Sequence, residues 1–365
     1  MYWYHPHPHG RTGPQAYYGL AGLLIVSDEE EAALGLPSGE FDLPLVIQDR
    51  SFDSQNQLVY AADPMNGFFG DQVLVNGQAQ HAWAVEARPY RLRLLNGSNA
   101  RIYKLAWEDD TLFTVIATDG GLLEKPVQRS YLTLAPGERV ELWADFSSYQ
   151  PGQEVRLKSL PFSVSTGTMG GMMGGSSGLP NGTALDVLKF KVEPASGAPF
   201  PGLPERLSAP EFYAEQKAVN LRNPRQITLA MMMMTGTLNG RTFVMDEVAN
   251  DEIVRLGDLE VWEFYNAEGG GMGMMGGGGH PHPMHIHGVQ FQVLERRIDP
   301  QNRSEYEAIS AGFVDEGWKD TVLVWPGERV RVLVRFESFT GMYLYHCHNL
   351  EHEDGGMMRN YQVKS

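Results

Sequence analysis

The segment His346-Cys347-His348-Asn349-Leu350-Glu351-His352-Glu353-Asp354-Gly355-Gly356-Met357-Met358 holds the only cysteine of the chain, flanked by two histidines. In a strand, residues i and i+2 point to one face and residue i+1 to the other. His346 and His348 therefore present two imidazoles to one cavity, while the Cys347 sulfur faces a different site. Two short covalent paths lead from that sulfur, through its neighbours, into the cavity. The same H-x-H spacing recurs at His5-Pro6-His7 and His285-Ile286-His287. Ten of the eleven histidines fall in three short windows, 5–9, 280–287 and 346–352, and His81 alone stands apart. An isolated histidine is ordinarily a surface or hydrogen-bonded core residue. Ten clustered ones point to metal, for which imidazole is the commonest neutral ligand.

A thiolate with two imidazoles and a weak axial thioether makes a blue-copper electron-transfer site. The chain holds that set: His352 lies five residues after Cys347, Met357 five further on, and His282 belongs to the middle window. A lone buried cysteine is otherwise a small hydrophobe, a reading that its flanking histidines argue against. Composition narrows the remainder. The 29 basic and 45 acidic residues leave a net charge of −16, opposite to what phosphate-tracking nucleic-acid binding needs. No apolar run reaches the roughly 18–20 residues of a membrane-spanning helix. A single cysteine excludes an intrachain disulfide framework.

Three stretches resemble copper signatures of the multicopper oxidase family, of the bacterial laccase and cuprous oxidase kind: Tyr4-His5-Pro6-His7, His282-Pro283-Met284-His285-Ile286-His287-Gly288, and the segment from His346 to Met358. Further likeness runs through Val75-Asn76-Gly77, Arg91-Leu92-Arg93-Leu94-Leu95-Asn96 and Leu134-Ala135-Pro136-Gly137-Glu138-Arg139. The resemblance implies cupredoxin-like Greek-key β-sandwiches and up to four copper ions. It places His282, Cys347 and His352, with axial Met357, on a mononuclear type 1 copper. It assigns His5, His7, His287, His346 and His348 to the paired type 3 coppers, with His7, His287 and His346 on one ion and His5 and His348 on the other. His285 would hold the type 2 copper. Glu353 stands where the family places a carboxylate that hands protons to reducing dioxygen; its other reading is a surface carboxylate. The partners implied are dioxygen and a phenolic, aromatic amine or Cu(I) electron donor. A fourth signature, H-W-H-G, is absent from these residues, so six of the eight histidines of a trinuclear cluster are present. His9 and His280 are spare but lie in the wrong strands to replace the missing pair. A copper-binding electron carrier with only type 1 copper functional is therefore the alternative to an oxidase. A copper nitrite reductase needs only one histidine beside the type 1 cysteine, and a zinc hydrolase does not account for the buried Cys–Met set.

At about 150 residues per domain, 365 residues make two to three domains. Short apolar runs punctuated by Asn76-Gly77, Asn96-Gly97 and Asp119-Gly120 predict an all-β chain of sandwiches. Residues 1–29 read as the last strands of a first sandwich, with Gly19–Val26 a buried strand that the acidic run from Asp28 ends. Residues 30–198 read as a second, copper-free sandwich, a spacer. The Pro-rich stretch 199–204 is a linker, and 205–365 is a third sandwich carrying the copper residues. Ala135-Pro136-Gly137-Glu138-Arg139-Val140 recurs as Trp325-Pro326-Gly327-Glu328-Arg329-Val330, and Asn76-Gly77 as Asn239-Gly240, as expected of two sandwiches of one design. The strands of 1–29 are expected to dock on the third sandwich, with their missing partners either left out of an incomplete sequence or supplied by another chain or by a second copy. No basic and apolar leader precedes Tyr2, although the family is exported, to periplasm or medium. The methionine runs at 169–173, 231–234 and 272–275 read either as Cu(I)-handling, which the place of Met272, Met274 and Met275 just before His282 favours, or as inert Gly/Met loop, and the run 231–234 also reads as an ordinary core strand.

Overall fold

A computed structural model describes all residues except 81, 165–177, 199, 233–234 and 269–278. The methionines at 169–173 and 272–275 lie outside the described residues; Met231 and Met232 end strand Arg225–Met232.

The alternating runs form two stacked pairs of sheets. A seven-stranded and a five-stranded sheet, from strand Asp42–Arg50 to strand Leu185–Glu193, enclose one core. Leu45, Leu92, Val115 and Leu142 from one sheet meet Val85, Leu105, Leu157 and Phe190 from the other. Two five-stranded sheets enclose a second core, where Ile227, Trp262 and Val332 meet Met284, Val322, Tyr345 and Tyr361. Each such side chain, taken fully out of water, contributes about 1.5–3 kcal/mol. A third cluster, Ile102, Ala135, Ile309, Phe313, Leu323 and Trp325, welds the two units together.

The internal repeat persists down to single hydrogen bonds. Asn76 and Asn239 sit at φ 50° and 53°, and their side chains accept from Val46 N and Thr228 N, each at 2.8 Å. The Pro-Gly-Glu-Arg turns match likewise. Glu138 accepts from Ala135 N at 2.8 Å and Glu328 from Trp325 N at 2.7 Å. Glu328 is fully buried against Arg296 (3.1 Å), and burial lifts its carboxyl above the usual range against the opposing pull of that guanidinium. A carboxyl held high in the fold stabilises it fully below the ordinary carboxylate range, and that contribution is lost as pH rises through the raised value. Glu328→Gln cannot ionise, so the Tm difference between variant and wild type is expected to shift in favour of the variant as pH increases. A pH series of melting curves on metal-free protein checks this.

The first 29 residues depart from the expected strands. Only Tyr2–Tyr4 and Gly22–Leu24 pair, as a two-stranded ribbon, and a helix, Thr12–Tyr17, lies between them. Leu24, Ile25 and Val26 are 56%, 42% and 58% exposed, so the end of the expected buried strand has no cover among the described residues. The acidic run starts a short helix, Glu29–Ala33, capped by Asp28. The helix Thr12–Tyr17 docks on the unit that carries the two later histidine windows: Thr12 N and Gly13 N donate to Asp354 at 2.9 and 2.8 Å.

Candidate metal centres

The sheet that carries the site runs Ile253–Arg255, Met358–Lys364, Gly341–Cys347, His282–Ile286, Thr321–Val324. Cys347 pairs with Met284 and His346 with His285, so both histidine windows share one register. Strand alternation then sorts them. Cys347 and Met284 point into the core between the sheets, while His285 and His346 face the other way.

On the core side, the donor atoms of His282, Cys347 and His352 lie within 4.8 Å of one another, all buried. Cys347 Sγ is 3.5 Å from His282 Nδ1 and 3.8 Å from His352 Nδ1, and the two Nδ1 atoms are 3.2 Å apart. The outer ring nitrogens are committed elsewhere. His352 Nε2 donates to the Met65 carbonyl at 2.8 Å, and His282 Nε2 lies 3.2 Å from Glu268 Oε1. These partners place the protons on Nε2, so two bare Nδ1 lone pairs face each other beside a sulfur. That arrangement repels unless a cation sits between them. A triangle of these edges suits an ion with bonds of about 2.0–2.3 Å. Met357 is fully buried in the same core cluster, its carbonyl accepting from Cys347 N at 3.0 Å. Burial pushes the Cys347 thiol up, so a bound metal must displace its proton.

On the opposite side, His7, His287 and His346 form a second group with donor atoms within 4.8 Å. His287 Nε2 and His346 Nε2 are 3.1 Å apart. The His5 and His348 rings lie 5.3 Å apart beside them, and the His285 ring is 4.8 Å from that of His287. His285 Nδ1 donates to the Asp320 carbonyl at 2.7 Å, leaving Nε2 free. The buried Nδ1 of His348 has no hydrogen-bond partner. Burial and the neighbouring rings hold His287, His346 and His348 well below the usual histidine range, and His5 is pushed down to about 3. Neutral, lone-pair-bearing rings are what a metal requires. His5, His7, His285, His287 and His348 open into a cavity of about 620 Å³ lined also by Tyr2, Trp3, Tyr4 and Trp318.

Glu353 is buried rather than on the surface. Its Oε1 accepts from His7 Nδ1 (2.9 Å) and Thr12 Oγ1 (2.8 Å), and its Oε2 lies 3.2 Å from His346 Nδ1. Desolvation raises its carboxyl above the usual range against the pull of His7. Of the spare histidines, His280 shares Glu268 with His282 at 3.0 Å, and His9 packs on Phe243 outside both groups. Glu268 and the Met65 carbonyl escape sequence reading, because neither follows a spacing rule. Only the position of Glu268 beside a Gly/Met run hints at it.

A family model described as multicopper oxidase matches residues 218–365. The chain is 33% identical to a laccase of Bacillus stratosphericus, over 98% of this chain and 70% of the relative, and 35% identical to a laccase of Haloferax volcanii, over 99% and 59%. Its fold superposes on the McoA multicopper oxidase of Aquifex aeolicus with a TM-score of 0.83 and 38% identity, covering all of this chain and 75% of that one. The chain thus spans between 59% and 70% of these two laccases. It belongs to the multicopper oxidase family, whose members are copper-dependent oxidoreductases with cupredoxin-like all-β folds.

Proposed function

We propose that this chain is the type 1-bearing part of a laccase-like oxidase, exported to periplasm or medium, that takes single electrons from phenols, aromatic amines or Cu(I) and delivers them to dioxygen. The observation that carries this reading is the placement of two histidine groups on opposite faces of one strand, joined by the backbone of His346-Cys347-His348. His282, Cys347, His352 and Met357 would hold the type 1 copper. His7, His287 and His346 would hold one type 3 ion, His5 and His348 the other, and His285 the type 2 ion. Copper so held supplies one-electron transfer at the first site and four-electron reduction of dioxygen to water at the second. The chain's own residues do the rest. Glu268 and the Met65 carbonyl orient the two imidazoles beside Cys347. Glu353, itself fully buried and with its carboxyl raised by desolvation, would serve as the proton donor beside His7 and His346. We also place the limits of the two complete sandwiches at 30–198 and 205–365, with 1–29 belonging to another.

A second reading rests on the cavity beside His5 and His348, where two histidines converge against three in the neighbouring group. In that reading only the type 1 site works in this chain, as an electron carrier, until a segment with a further histidine pair fills the opening. Oxygen uptake by copper-loaded protein with a phenolic donor separates the two. Sustained uptake supports the oxidase. Bleaching of the blue colour by the donor without uptake overturns it for this chain and leaves the carrier. Glu353→Gln, if the oxidase holds, is expected to slow uptake about 10²–10⁴-fold, the range for a positioned proton donor, with unchanged bleaching by the donor under anaerobic conditions.

A further inference from the structure

The two Pro-Gly-Glu-Arg turns have one backbone design but different neighbours. In the third sandwich the residues of the turn meet other side chains than those of the second histidine group. A Cβ on Gly327 would meet the side chain of Asn302, Glu328 pairs with Arg296, and Arg329 stacks on Tyr265 at 3.5 Å. The copy in the sandwich without a histidine cluster faces the second histidine group. Gly137, at φ 82°, packs so closely that a Cβ there would lie 2.6 Å from His348 Cδ2. Arg139 reaches across the boundary and donates from both terminal nitrogens to the Asp320 carboxylate at 2.6 Å each. Asp320 is the residue whose carbonyl holds His285 Nδ1. Asp119, from the same sandwich as Arg139, closes the frame: it accepts from Arg139 N at 2.7 Å and from Asp320 N at 3.2 Å. Glu138 adds an ion pair to Lys319 at 3.2 Å.

We propose that the turn Pro136–Arg139 of the second sandwich is a positioning element for the oxygen-side metal site, fixing His348 through the missing side chain of Gly137 and His285 through the Arg139–Asp320 pair. The second sandwich is then no spacer. Its duplicated turn has been turned onto the neighbour's ligands, and only glycine fits where the His348 ring lies. This inference rests on the reading that His7, His287, His346 and their neighbours hold copper.

The test compares Gly137→Ala with Gly327→Ala in the full copper-loaded chain. Both positions have positive φ, 82° and 74°, so both variants impose a similar backbone cost, but only the first touches a histidine of the site. Copper affinity of the non-blue sites is measured by chelator competition, with the blue band and the electron paramagnetic resonance of the non-blue copper followed alongside. Gly137→Ala is expected to weaken non-blue binding about 10–100-fold, the usual effect of disturbing a ligand's support, and to alter the non-blue resonance while the blue band persists. Gly327→Ala is expected to leave both near wild type. Arg139→Lys keeps the charge but loses the two-point grip; it should weaken non-blue binding in the same way, and it decides the matter if Gly137→Ala does not fold. Wild-type affinity in Gly137→Ala and Arg139→Lys, or equal losses in the two glycine variants, overturns the proposal. Blue copper alone in the wild type, seen before any variant is made, overturns the underlying reading and this inference with it.

Discussion

Replacing Cys347 by serine will abolish the blue absorption of the copper-loaded chain and reduce donor oxidation to background, while copper is still taken up by the histidines on the other face of the same strand. The sulfur is the soft member of the His282–Cys347–His352 triangle, and thiolate coordination is what distinguishes a blue-copper site from an imidazole site. A serine hydroxyl is a hard, weakly acidic donor and cannot replace it. The side chain is fully buried among Met284, Tyr345 and Met357, so the isosteric change keeps the volume of the core. His346 keeps its place through pairing with His285, and His348 through its backbone N–H donating to the Pro283 carbonyl at 2.6 Å. Copper analysis and visible absorption on one sample test this. Loss of all copper together with the blue band would mean that the two groups are not independent.

The complementary substitution, His287→Ala, is expected to do the reverse. His287 Nε2 faces His346 Nε2 at 3.1 Å, and its ring packs against those of His7, His285 and His346, on the face of the strand opposite the Cys347 sulfur. Removing it takes one of three converging imidazoles from its group, so copper per chain should fall and oxygen uptake should drop to background. The blue band should persist and still bleach under reductant. The ring is partly exposed toward the cavity, so its loss leaves no sealed void in the core. A variant that loses blue absorption as well would show that the His7–His287–His346 group shapes the site around Cys347. Together the two substitutions separate the faces of a single strand.

Much of this site was legible from local pattern. Period-two alternation around Cys347 placed the sulfur and the two imidazoles on opposite faces, because the side-chain direction in a strand depends only on position. The turn signals at Asn76-Gly77 and Asn239-Gly240, and the two Pro-Gly-Glu-Arg runs, foretold the repeated sandwich design, because positive φ and capping carboxylates are needed locally. Residues 1–29 were less legible. Gly19–Val26 has the composition of a buried strand, but burial is decided by what lies against it, and Leu24, Ile25 and Val26 stay exposed among the described residues. Glu353 could be read as surface or site, and the helix Thr12–Tyr17 decided it by covering the carboxylate.

By itself the sequence determined the donor groups on offer: one thiol, clustered imidazoles, and the two-residue spacing that divides them between faces. Those are properties of residue type and strand period, and they do not depend on the remainder of the chain. Only the tertiary structure decided which ring nitrogen is free, since that follows from the Met65 carbonyl, Glu268 and the Asp320 carbonyl, each brought to its histidine from distant sequence. It likewise decided that the turn at Gly137 and Arg139 touches His348 and Asp320, whereas its duplicate does not. Matching local sequences adopt matching local backbones; what they touch is set by how whole sheets pack.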